Sequence, residues 1–164
     1  MIIDGFMFFN ELNILEGRLQ YLYDKVDKFV IVESNITHSG NMKPFNFLEN
    51  SERFTPYLDK IIYRTFSPDP SKYDFTQKPL GFDNNSDFWK LENDQRNEIA
   101  SAIKQFPDEA FVMISDADEV PSRDAIDMVT AGMSPYGVQA ATLRQDMFYF
   151  NLRQKEISSG VGLC

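Results

Sequence analysis

The sequence predicts an α/β fold, a mostly parallel sheet flanked by helices, on three observations. Four short apolar runs, at residues 6–9, 29–32, 61–65 and 111–115, have the length and composition of buried strands. Segments with helical periodicity separate the first from the second and the third from the fourth. Strands alternating with helices build βαβ units, whose connection is nearly always right-handed and parallel. Finally, two runs end directly in acids, Glu33 after the second and Asp116, Asp118 and Glu119 after the fourth. Ligands of open α/β sheets bind beyond the carboxyl ends of the strands.

The elements follow in order. Residues 6–9 (FMFF) form the first strand, and Asn10 is placed to cap the helix after it. Leu12, Leu15, Leu19, Leu22 and Val26 recur at spacings of three and four, the inner stripe of an amphipathic helix. Arg18 is assigned to that helix's polar side, within reach of a neighbouring carboxylate. Residues 29–32 form the second strand and end at Glu33, and the polar loop SNITHSGN after it is long enough to border a pocket. His38 in that loop is the single histidine and reads as a solvated residue. Loop and a short helix are expected over 43–54, a third strand at 61–66, and a long surface excursion over 67–86.

Asp87 is placed to cap a helix over 88–106, with Trp89, Leu91, Ile99, Ile103 and Phe106 as its apolar stripe. Glu92 and Arg96 are four residues apart, the spacing of a surface ion pair. The alternative sets Arg96 over the strand ends, facing phosphate. The fourth strand, 111–115, reads as buried on both faces, and so its acids belong just past its end. Asp116-Ala117-Asp118 offers two hard oxygen ligands on one turn, suited to Mg²⁺ or Mn²⁺ carrying a phosphate. An EF-hand is excluded, because Pro121 stands where that loop requires glycine. A helix capped by Ser122 over 123–131 and strands at 138–143 and 147–152 complete the chain, with Asp146 between those strands.

At 164 residues and 43% hydrophobic composition, one domain with a real core is expected. The net charge of −9 excludes nucleic acid or an anionic membrane as the main partner. No stretch approaches the roughly 18–20 apolar residues of a membrane span, and the N-terminus carries acids early without a basic leader. A soluble, cytoplasmic protein is the expectation. Cys164 is the single cysteine, so no internal disulfide forms.

Four segments in succession resemble glycosyltransferase family 17: residues 4–47 (DGFMFFNELNILEGRLQYLYDKVDKFVIVESNITHSGNMKPFNF), 54–63 (FTPYLDKIIY), 89–99 (WKLENDQRNEI) and 112–121 (VMISDADEVP). The resemblance implies a GT-A-like, Rossmann-related fold, with 1–164 as one nucleotide-sugar-binding domain lacking the family's C-terminal portion. It implies Asp116 and Asp118 as ligands of Mn²⁺ or Mg²⁺ against a diphosphate, with Glu119 supporting their turn. Glu33 and its loop would border the nucleoside, and Arg96 would approach the diphosphate or the sugar. A UDP-linked, GlcNAc-type donor and a glycan acceptor follow from the same source. Asp146 is the in-chain candidate for the catalytic base, a residue outside this chain being the alternative. Two rival readings are a truncated module that binds a nucleotide sugar or glycan without transfer, and a Mg²⁺-dependent phosphohydrolase with Asp116 as nucleophile.

Overall fold

The computed structural model describes residues 1–76, 83, 85–132 and 143. The chain divides into two compact units, Met1–Arg123 and Asp124–Cys164. The first holds β1 (Ile2–Phe8), α1 (Leu12–Leu22), β2 (Lys28–Ser34), α2 (Asn46–Glu49), β3 (Ile61–Phe66), α3 (Asp87–Ile103) and β4 (Phe111–Asp116), with 3₁₀ turns at Ser51–Tyr57 and Pro70–Lys72. The second is described through α4 (Arg123–Gly132), whose Ile126 is buried. The strands expected at 138–143 and 147–152 lie, apart from Leu143, outside the described residues.

All four predicted runs fall in strands of a single parallel sheet, in the order β3-β2-β1-β4. The exception is at the first, which starts earlier, at Ile2, and ends at Phe8, leaving Phe9 outside it and exposed. The chain lays β2 and then β3 to one side of β1 and returns to the other side for β4. That reversal puts a topological switch point between the carboxyl ends of β1 and β4. There Met7 pairs with Asp116, while Phe8 pairs with Glu33 across the next ladder.

Side chains alternate between the two faces of each strand. On one face, Ile3, Val30 and Val32 pack with Ile99 and Ala102 of α3. Gly5 lies beneath that helix, where an added Cβ would stand 2.6 Å from Ile99 Cγ2. Glycine at this position lets helix and sheet approach. We expect Gly5→Ala to cost about 1–3 kcal/mol by overpacking, read as a lower denaturation midpoint in urea at an unchanged m-value. The opposite face carries Asp4, Phe6 and Phe8, and α1 covers it with Leu15, Leu19 and Leu22, all fully buried. Each such leucine contributes about 1.5–3 kcal/mol of burial.

The structure corrects several local expectations. Residues 111–115 are not buried on both faces, since β4 is an end strand among the described residues and Ile114 is 49% exposed. The deepest strands are β1 and β2, each with a hydrogen-bonded neighbour on both sides. Glu11, not Asn10, occupies the N-cap of α1, and its carboxylate turns back to accept the Phe9 and Asn10 amides at 3.2 and 3.0 Å. Ser86 is the N-cap of α3, with Asp87 its first helical residue, and the helix ends at Ile103. The inner face of α3 runs through Phe88, Leu91, Gln95, Ile99 and Ala102. Gln95 sits on that face because its side chain donates to the Val32 carbonyl at 3.0 Å.

Candidate functional site

The acidic turn after β4 is tied down from beneath. Arg18, 1% exposed, projects from α1 between Leu15 and Leu22 and meets Asp4, 0% exposed, in the middle of β1. Its Nε and Nη2 donate to the two Asp4 oxygens at 2.8 and 2.7 Å. Nη2 also donates to Ser115 Oγ at 2.8 Å, and Nη1 donates to the carbonyls of Asp116, Ala117 and Glu119 at 2.8, 3.1 and 3.3 Å. The Phe6 ring lies 4.3 Å from the guanidinium carbon. The expectation that Arg18 belongs to the polar side of α1 is therefore overturned. It occupies the apolar stripe because Asp4 neutralises it there.

The turn closes on itself as well. The Glu119 amide donates to the Asp116 carbonyl at 3.1 Å, and the Asp116 amide donates to Glu119 Oε2 at 3.2 Å. With its carbonyls drawn toward Arg18, the segment leaves the side chains of Asp116 and Asp118 exposed. Arg96 makes the ion pair expected with Glu92 and also reaches the carboxylate at the end of β4. Its Nη2 lies 3.1 Å from Glu92 Oε1, one helical turn away, and 3.1 Å from Asp116 Oδ1. His38 is half exposed, in keeping with a solvated loop residue. Its Nδ1 lies 3.6 Å from Glu92 Oε2, and its ring meets those of Phe88 and Trp89.

Glu33 faces inward. It is fully buried, with Oε1 accepting from Lys43 Nζ and the Asn46 amide, both at 2.6 Å, and Oε2 accepting from the Phe47 amide at 3.0 Å and the Tyr63 hydroxyl at 2.8 Å. Burial and this bond push the Tyr63 hydroxyl far above the usual phenol range. Glu33 thus anchors the start of α2 and the end of the preceding loop, while the loop itself faces the open side. Within that loop, Gly40 adopts φ +81°, a conformation glycine accepts without strain, and the Phe75 ring packs against it. The segment bearing Phe75 is fastened to α3, where Tyr73 donates to Asp94 at 2.8 Å. Burial and that bond push the Tyr73 hydroxyl up to about 12.

These elements enclose a cleft of ≈ 440 Å³ at the carboxyl ends of β1, β2 and β4, within the range of small-ligand pockets. Met7, Ile36 and Leu91 give it apolar walls, Ser34, Thr37, His38, Ser39 and Gln95 polar ones, and Asp116 and Asp118 stand at its acidic end. Glu33 is not among the lining residues, whereas Lys43 is. Among the described residues no group of three or more His, Cys, Asp or Glu side chains gathers as a metal cage. Two exposed carboxylates suit a cation whose remaining ligands are water and phosphate oxygens, the way Mg²⁺ is usually held. Asp146 lies outside the described residues.

Sequence reasoning missed the burial of Arg18, its partner Asp4, and Lys43. A signal for the first two existed: Asp4 interrupts an apolar strand, and Arg18 falls on the leucine stripe of the next helix. Two lone opposite charges on inward faces of consecutive elements are the mark of a buried pair. Among the described residues no helix is long and apolar enough to cross a membrane.

The model of glycosyltransferase family 17 matches residues 1–158 of this chain. Two curated relatives are each described as beta-1,4-mannosyl-glycoprotein 4-beta-N-acetylglucosaminyltransferase. The rat protein is 30% identical over 132 residues, covering 76% of this chain and 22% of the relative. The human protein is 31% identical over 124 residues, covering 71% and 21%. The matched region is thus about a fifth of the length of these relatives. No solved structure matches the chain.

Proposed function

The chain belongs to glycosyltransferase family 17, and from that premise we propose that it binds a nucleotide sugar in the cleft at the strand ends and transfers the sugar to a hydroxyl of a glycan. The observation that carries this reading is the pair Asp116 and Asp118, exposed in the cleft at the switch point between β1 and β4. The names of the rat and human relatives support an N-acetylglucosamine-type sugar, and we take its donor to be UDP-linked. Asp116 and Asp118 would hold Mn²⁺ or Mg²⁺ with the donor diphosphate. What such an ion supplies when bound is neutralisation of charge on the departing nucleoside diphosphate.

The protein's own groups do the rest. Arg96 presents a planar fork beside Asp116, the geometry that pairs with a phosphate or a sugar hydroxyl. The apolar walls, Met7, Ile36 and Leu91, limit water near the anomeric carbon, which guards the donor against hydrolysis. The acceptor oxygen forms the new bond to that carbon as the carbon–phosphate oxygen bond breaks. The bonding pair leaves with the diphosphate, and the acceptor's proton passes to a carboxylate base, for which Asp146 is our in-chain candidate. An α-linked donor then gives a β-linked product by one displacement with inversion.

The test is calorimetric titration of a panel of nucleotide sugars, with Mn²⁺ and with chelator, followed by assay of UDP release in the presence of a glycan acceptor. Mn²⁺-dependent binding of a UDP-sugar is expected, with UDP released when acceptor is added. Binding without transfer would favour a donor-holding module, and no binding above background would overturn the reading. In the same assay Arg96→Lys is expected to weaken UDP-sugar binding about tenfold, the loss of one charge-assisted bond. If Arg96 serves only Glu92 and Asp116, affinity stays at the wild-type value.

A further inference from the structure

The Asp4–Arg18 pair has no contact with the cleft of its own, yet it is the most heavily bonded group beneath it. Arginine carries five N–H donors in a fixed fork. In Arg18 the Nε–H and one Nη2–H are taken by Asp4. The other Nη2–H goes to Ser115 Oγ, and the two on Nη1 are shared by the carbonyls of Asp116, Ala117 and Glu119. Three of five donors therefore fall on one five-residue segment, nearly a hundred positions away in the chain. A buried ion pair is weak as a source of net stability, because desolvation offsets most of its attraction. An apolar pair of similar volume would pack this interface with less loss. Orientation is what an apolar pair could not supply. Two consecutive carbonyls, those of Asp116 and Ala117, point into the protein toward one cation, and the carboxylates on either side of Ala117 face the cleft.

We propose that Arg18 is a positioning residue, aimed by Asp4, that holds the turn at 115–119 so that Asp116 and Asp118 face a shared cation and diphosphate. This rests on the donor-binding reading above, and goes beyond it by assigning the orientation of the acidic turn to two buried residues outside the cleft. Substitution by lysine separates positioning from charge balance. An ammonium keeps Asp4 neutralised but, with three donors on one nitrogen, cannot span both Asp4 and the turn carbonyls.

The experiment compares wild type, Arg18→Lys, the neutral double variant Asp4→Asn/Arg18→Gln, and Leu22→Ala. Leu22 is buried on the same face of α1 and does not line the cleft, so it reports destabilisation alone. Two readouts are taken under conditions where all four are folded by circular dichroism: amide hydrogen exchange of peptides covering 112–121, and UDP affinity with Mn²⁺ or chelator. Expected in both Arg18 variants is at least tenfold faster exchange across the turn and at least tenfold weaker Mn²⁺-dependent UDP binding. Leu22→Ala should lower the melting temperature and leave both unchanged. Wild-type exchange in the turn of both Arg18 variants overturns the proposal, as does unaltered Mn²⁺-dependent UDP affinity. If wild type itself binds no UDP with Mn²⁺, the donor-binding reading fails and, with it, the purpose assigned to Arg18, even where faster exchange shows that the anchor holds the turn.

Discussion

Asp116→Asn and Asp118→Asn are each expected to lower Mn²⁺-dependent affinity for a UDP-sugar by roughly 100-fold or more, since even partners one shell beyond a metal cost about 10–100-fold when lost. Both side chains are exposed at the carboxyl end of β4, and neither belongs to the core, so the fold should survive intact. Asparagine keeps the shape of each side chain but removes the charge that a divalent ion requires. Stability should change little. Asp116→Asn loses an exposed contact with Arg96 at 3.1 Å, a kind of pair worth about 0–1 kcal/mol. Against that, either substitution relieves repulsion between two carboxylates two residues apart. A small rise in melting temperature in Asp118→Asn would be the mark of a site where function opposes stability. The decisive measurement is calorimetric titration of UDP-sugar into wild type and both variants, with Mn²⁺ and with chelator. Equal affinity in all six conditions would return the acidic turn to ordinary surface.

The largest loss of stability is expected at Glu33. Removing this carboxylate in Glu33→Ala leaves the Lys43 ammonium, whose side chain is only 8% exposed, without its counter-charge and with the Phe9 and Pro44 carbonyls as its remaining acceptors. It also leaves the Asn46 and Phe47 amides without theirs. Breaking a buried pair from one side costs about 3–5 kcal/mol. That is a large share of a typical domain's 5–15 kcal/mol, so the variant should approach unfolding at room temperature, read by urea titration of far-UV circular dichroism. A variant with wild-type stability but weakened nucleotide binding would instead make Glu33 a ligand contact. The same cluster sets an alkaline limit. The Tyr63 hydroxyl is raised above its ordinary value of 10 by burial and by its bond to Glu33. In the unfolded chain it ionises near pH 10. Its contribution is therefore complete below that pH and is lost as the pH climbs toward the raised folded value. Tyr63→Phe should flatten the stability profile above pH 10.

The two carboxylate clusters show how far the sequence reaches. Apolar runs of strand length, helical periodicity between them and acids at their ends sufficed to locate all four strands, with Asp116 as the last residue of β4 rather than beyond it and Asp118 just past its end. These are local properties, because hydrophobic pattern records which residues each element must hide from water. Glu33 was legible as a strand-end acid, but its direction was not. Whether a carboxylate points at ligand or protein depends on donors elsewhere, here Lys43, Tyr63 and the amides opening α2.

Tertiary structure alone decided the order β3-β2-β1-β4, and with it the switch point that makes the end of β4 a binding edge rather than one acidic turn among several. It also decided the place of Arg18. Read by itself, α1 offers a leucine stripe on which a charged residue looks misplaced. Only with Asp4 opposite it, 14 positions earlier, and the Asp116 carbonyl above it, 98 positions later, is that charge neutralised and its donors filled. A polar residue is stable on an apolar face wherever folding delivers its partners. Those partners are set by the packing of whole elements, which no local periodicity contains.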